Sequence, residues 1–211
     1  PRAAFDEERL RALSGATGQG IGEREMNVTE TLLKGVFILE PQVFGDARGW
    51  FMESWSKKKM EDAGIFVDFV QDNHSFSAEK GTLRGLHYQL NPMAQAKLLR
   101  VSRGTIFDVA VDIRRGSPTY AKWVGIELSA ENHRQLFIPR GFAHGFITLT
   151  NDVEVLYKAD NLYAPEYDGN IRWDDPEIGI KWPIAPVVLS EKDAAAPALA
   201  VRTELNFTYN A

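Results

Sequence analysis

The sequence contains no cysteine, which excludes disulfides and thiolate metal sites. It has no basic excess either. Against 29 acidic residues stand 24 Lys and Arg, a formal net charge of −5. That balance argues against a broad nucleic-acid or anionic-membrane surface but leaves room for a local basic pocket around a small anion. No apolar run approaches the roughly 20 residues of a membrane-spanning helix, and no signal-peptide pattern is visible. What is present is ordinary for a globular protein: 211 residues, 44% hydrophobic and 25% charged, enough for one well-packed domain. The expectation is a soluble, cytoplasmic protein with neither nucleic acid nor membrane as a partner.

Residues 1–26 read differently from the rest. PRAAFDEERLRALSG predicts a short helix ending at Gly15, followed by a Gly-rich stretch to Gly22. The segment begins with Pro1, and Met26 would suit a natural start, so 1–26 is expected to be a flexible extension and 27–211 a single domain. From Val28 the pattern changes to short β-type runs separated by turn signals. GVFILEP is followed by the turn Gly45-Asp46-Ala47-Arg48-Gly49 and by WFMESW. Ser56 then caps a helical turn or two in KKKMEDAG, stopped by Gly64. IFVDFVQ, TLRGLHYQ and KLLRVSR read as strands, with Gly104 as a turn. TIFDVAVDI alternates, with Phe107, Val109, Val111 and Ile113 on one face and Asp108, Ala110 and Asp112 on the other. KWVGIELS, RQLFIP, GFITLT and VEVLYKAD complete the strand set, and PRGFAH is read as a tight connection. After Tyr163 the text becomes loop-rich. Eight or more short strands with one or two helices predict an all-β double-stranded β-helix or jelly roll.

The chemistry concentrates between Phe69 and Arg103, where Gln71, Asp72, Asn73, Arg84, His87, Gln95 and Lys97 sit in or beside apolar strands. Charges inside a barrel need a reason. A lone strand histidine more often packs than reacts, but cations at Arg84 and Lys97 would keep His87 neutral and available as a base. A carboxylate would orient it, and either Asp193 or Asp108 fits that role. Arg84 and His87 are three apart, so a regular strand points them to opposite faces, unless Gly85 hosts a bulge. Lys97 shares a strand face with Leu99 and Val101, and Tyr157 shares one with Val153 and Val155, so both would project inward. An inward phenol beside a substrate can donate a proton.

PRGFAH has the form P-x-G-x-x-H, which resembles the second block of cupin barrels. The first block of metal cupins needs an H-x-H pair and a downstream Glu. This chain offers only Leu86-His87-Tyr88 and has four histidines in all, so a barrel without a metal is expected.

Over about Leu33 to Pro197 the chain resembles the dTDP-4-dehydrorhamnose 3,5-epimerase family. The strings that carry the likeness are GVFILEPQVFGDARGWFMESW, QDNHSFSAEKGTLRGLHYQ, KLLRVSRGTIFDVAVDIRRGSPTY, ENHRQLFIPRGFAHGF, YKADNLYAPEYDGNIRWDDPEIGIKWP and LSEKDAAAP. The resemblance implies a cupin fold, a dTDP-4-keto-6-deoxy sugar as substrate, no cofactor, and a homodimer with exchanged strands. It also implies roles: His87 as base, Asp193 as its partner, Tyr157 as proton donor and Lys97 as oxyanion stabiliser. Arg84 and His144 would line the sugar site. Arg48, Glu53, Gln71, Asp72, Asn73 and Tyr163 would contact nucleotide or sugar, with Arg48 and Glu53 reaching the neighbouring subunit. A mono-epimerase or a 3,4-ketoisomerase of a related deoxysugar route would share much of this scaffold; from a different class, the alternative is a metal-dependent cupin oxygenase.

Overall fold

The structure, a computed structural model, describes residues 26–209; the expected N-terminal helix lies outside them. In chain order the strands β1 (Asn27–Glu30) and β2 (Phe37–Glu40) precede a hairpin of β3 (Val43–Asp46) and β4 (Gly49–Met52). Helix α1 (Lys57–Asp62) follows, then β5 (Gln71–Ser77), β6 (Leu83–Gln89), β7 (Lys97–Arg103) and β8 (Thr105–Asp112). Next come β9 (Trp123–Ser129), β10 (Gln135–Ile138), β11 (Phe142–Thr148), β12 (Val153–Ala159) and the short β13 (Asp168–Asn170). A one-turn helix α2 (Glu191–Ala194) comes near the end.

The strands form two large antiparallel sheets, ordered β1-β2-β10-β7-β12-β5 and β13-β6-β11-β8-β9, while the β3–β4 hairpin pairs only with itself. Alternation sorts the side chains into three apolar layers. Between the sheets lie Ile38, Leu99, Val101, Ile106, Leu136, Phe146 and Val155. Each such aliphatic side chain contributes about 1.5–3 kcal/mol by leaving water. Outside the five-stranded sheet, Val109, Val111 and Ile113 meet Ile171, Leu199, Leu205 and Phe207 from the C-terminal segment. Outside the six-stranded sheet, Leu39, Leu98 and Phe137 are covered by Met60 of α1, Ile65 and Met26. The jelly-roll expectation holds, and so does the facing of β8, whose two predicted sides enter different layers. Both sides are buried, so Asp108 and Asp112 lie fully inside.

Helix α1 starts at Ser56, whose Oγ accepts from the Lys59 amide at 3.4 Å. Gly104 makes the predicted β7–β8 turn at φ +76°. Two expectations are corrected. IFVDFVQ was expected as a strand, but residues 65–70 join no sheet and β5 begins at Gln71. Its alternation is real: Ile65, Val67 and Phe69 pack down while Phe66 and Val70 are exposed. An extended segment laid across a sheet shows the same period as a strand within it. PRGFAH was expected as a connection, yet β11 already begins at Phe142, which puts His144 inside a strand. Phe142 and Phe146 enter the layer between the sheets, and their period carries His144 inward with them.

Candidate active site

Lys97 begins β7 on the face of Leu99 and Val101, and Tyr157 lies on β12 with Val153 and Val155, packed against the layer between the sheets. Both point inward, as their strand periods predict. On β6 the period is broken. His87 pairs with His144 and Arg84 with Phe146, so three steps along β6 oppose two along β11. This bulge turns Arg84 and His87 to the same side. Gly85 permits it: φ is +129°, and a Cβ there would lie 2.5 Å from the Gly145 Cα and 2.8 Å from the His144 carbonyl oxygen.

These side chains meet in a cleft with two lobes of about 420 and 400 Å³ that share His87, Lys97, Tyr157 and Lys192. Arg84, His144 and Asp193 line the first lobe; Gln71, Asn73, Gln95, Tyr163 and Asp168 line the second. Asp193 resolves the choice of partner for His87, its Oδ1 lying 2.6 Å from the His87 Nε2. Asp108 instead accepts from the His144 Nε2 at 2.6 Å. Asp193 reaches the cleft on α2, where Ser190 Oγ accepts from the Asp193 amide at 3.1 Å.

Three predicted residues lie outside the cleft. Asp72 faces outward between the inward Gln71 and Asn73, and takes a 2.9 Å bond from the Lys158 Nζ. Arg48 stands at the turn of the free hairpin, 90% exposed and paired with Asp46. Glu53 pairs with Lys59 at 2.9 Å. Sequence reasoning missed Lys192, whose ammonium pairs with Asp168 between the lobes. Lys192 sits beside Asp193 in the sequence, but a single turn of helix has no period to reveal its direction. The Asn170 side chain tethers that turn by donating to the Lys192 carbonyl at 3.0 Å. Gln89 and Gln95 hold the 161–164 loop over the second lobe through bonds to Leu162, Ala164 and Asn161.

Burial pushes the Lys97 ammonium down to about 8, against the opposing pull of Asp108 and Asp168. Burial raises the Tyr157 phenol, Arg84 opposing, so it keeps its proton at neutral pH. Burial also lowers His144, with Lys97 and His87 adding to the effect and Asp108 opposing it. For Asp193 burial acts upward, but bonds from His87, Ser190 and the Gly85 amide prevail and hold it below the usual carboxylate range. The arrangement offers a paired imidazole, a protonated phenol and a buried cation around one space. Among the described residues, no group of three or more His, Asp or Glu could hold a metal ion.

A profile for dTDP-4-dehydrorhamnose 3,5-epimerases matches residues 30–201. The chain belongs to this epimerase family. A 3,5-epimerase from Shigella flexneri is 57% identical over 169 residues, covering 80% of this chain and 93% of the relative. A solved 3,5-epimerase from Legionella pneumophila, in complex with dTDP-4-keto-L-rhamnose, is 48% identical with a TM-score of 0.85, covering 89% of this chain and 100% of that one. A 3′-monoepimerase from Streptomyces bikiniensis, bound to dTDP-quinovose, is 35% identical with a TM-score of 0.76, covering 81% of this chain and 86% of that one. The two-sheet barrel is therefore the cupin-type sandwich of the epimerases, and the chain is an isomerase of sugar nucleotides. Among the described residues no helix is long and apolar enough to cross a membrane.

Proposed function

We propose that this chain inverts C3 and C5 of dTDP-4-dehydro-6-deoxy-D-glucose, giving dTDP-4-dehydro-L-rhamnose without a cofactor, with residues 27–211 acting as one domain. One observation carries the reading: His87, paired with a buried carboxylate, shares a cleft with protonated Tyr157 and buried Lys97. Protons at C3 and C5 are acidified by the C4 ketone between them. Asp193 accepts a hydrogen bond from the His87 Nε2–H, which leaves the Nδ1 lone pair to remove a carbon proton and lets the carboxylate stabilise the imidazolium. Charge moves to the ketone oxygen, where Lys97 stabilises the enolate; fixed cations at such a position are often the largest catalytic contribution. Tyr157 returns a proton from the opposite face; the His87 imidazolium then loses its proton to solvent and the Tyr157 phenolate regains one, and the cycle repeats at the second carbon. Arg84 binds the diphosphate, while Gln71, Asn73 and Tyr163 hold the nucleotide end of the second lobe.

The same reading makes the protein a homodimer in which the β3–β4 hairpin crosses to the partner. Phe44, Trp50 and Phe51 are all more than half exposed on it, and Arg48 and Glu53 lie outside their own cleft. A cytoplasmic location suits a charged nucleotide-sugar substrate.

NMR of dTDP-4-keto-6-deoxyglucose incubated with the protein in deuterated water tests the reaction. Deuterium at both C3 and C5 is expected. Deuterium at one carbon indicates a mono-epimerase, and none at either removes the epimerase reading. Strand exchange is tested by mixing Arg48→Ala chains with His87→Asn chains. Restored activity is expected, because one mixed site then holds both wild-type residues; no restoration places Arg48 in its own subunit's site.

A further inference from the structure

We propose that Asp108 is a positioning residue for the epimerase reaction: it fixes which nitrogen of His144 faces the sugar, and it holds Lys97 in its cationic form. Asp108 lies on β8 with no exposed surface. Its Oδ1 accepts from the His144 Nε2, while its Oδ2 is buried with no hydrogen-bond partner among the described residues. A carboxylate in that state is costly unless an opposite charge stands near.

Lys97 supplies that charge. Both side chains start from inward strand faces that enter the layer between the sheets, Lys97 with Leu99 and Val101 and Asp108 with Ile106 and Ala110. Lys97 shares the cleft with His87, Tyr157 and Lys192, with His144 and Arg84 in the first lobe and Asp168 in the second. Asp108 and Asp168 favour the ammonium and Lys192 opposes it. Asp168 is already bound to Lys192. Burial holds the His144 imidazole below its ordinary value, so at neutral pH this ring brings no positive charge of its own to the pair.

The second effect concerns hydrogen-bond polarity. A neutral imidazole that donates through Nε2 carries its lone pair on Nδ1. His144 thus presents an acceptor to the sugar and cannot donate to the enolate oxygen, a task that falls to Lys97. It is suited instead to receiving a sugar hydroxyl. Without the Asp108 carboxylate, His144 would be free to take the other tautomer.

This inference rests on the epimerase reading for one of its two tests. Asp108→Asn keeps the shape and an acceptor oxygen but removes the charge. In the wild type the alkaline limb of the kcat profile is expected near pH 8, where Lys97 loses its proton. In the variant that limb is expected to move to lower pH by about one unit or more, the usual reach of a neighbouring charge. An unmoved limb with activity merely scaled down would overturn the proposal. The second test needs no variant and no turnover. Long-range ¹H–¹⁵N correlation spectra of the wild type at pH 7 are expected to show His144 protonated at Nε2 only, and a proton on Nδ1 would overturn the assignment. Wild-type protein that exchanges no substrate deuterium defeats the epimerase reading alone, because the tautomer measurement still stands.

Discussion

Two carboxylate–imidazole pairs face one cleft, and each closes at 2.6 Å. His87 is the more open of the two rings, 32% exposed against 9% for His144. Their carboxylates differ as well. Asp193 is held by Ser190 and the Gly85 amide in addition to its histidine, whereas Asp108 has one oxygen without a partner. Equal distances therefore do not make equal functions. A ring that must gain and lose a proton needs access to substrate and a carboxylate stabilised on several sides. A ring that must stay in one state is better served by full burial.

The sharpest way to break this comparison is to remove each ring in turn. His87→Asn is expected to abolish deuterium exchange, a loss on the order of 10³-fold or more, with dTDP binding retained in calorimetry. His144→Asn is expected to leave measurable exchange. Equal losses would erase the distinction. Asp193→Asn should lower kcat by roughly 10²–10⁴-fold, with KM little changed. The same variant should flatten the acid side of the stability curve. A carboxylate depressed below its ordinary 3.8 contributes stability that is present above that value and lost as pH falls through the folded value. Melting temperatures between pH 2 and 6 check this.

Gly85→Ala tests the bulge that sets His87 and Arg84 side by side. Positive φ and backbone overlap together predict a loss of about 2–5 kcal/mol, read by urea unfolding. The smallest expected effect on the fold comes from Lys97→Met, measured at pH 7. It relieves the desolvated ammonium but takes the counter-charge from Asp108, so turnover is removed while the two opposing contributions move the melting temperature by only about 2–4 °C for each kcal/mol of imbalance. Wild type should gain stability between pH 8 and 10.5, where the folded protein sheds the proton that the unfolded chain keeps, a gain the variant lacks.

Much of the barrel was readable because burial on one face imposes a two-residue period. Lys97 and Tyr157 were placed inward by Leu99, Val101, Val153 and Val155 alone. Period could not orient Arg84 against His87, since a bulge is defined by the partner strand, which local sequence does not name. Nor could it choose between Asp108 and Asp193. That choice depends on a contact spanning 106 residues. Lys192 was hidden for a related reason: its direction is set by a single capped turn and by Asn170. IFVDFVQ was misread because exposure alternates wherever an extended segment lies on a surface, whether or not its amides find a ladder.

The last strand of either sheet ends at Asn170, more than twenty residues before Asp193 leaves the ribosome. A growing chain thus has every strand of its barrel before the base has its carboxylate, and before Leu199, Leu205 and Phe207 can cover the outer face of the five-stranded sheet. Competence for proton transfer is among the last properties the polypeptide acquires during synthesis. A frameshift or stop codon after residue 188 would yield a protein with its complete strand set and no working base.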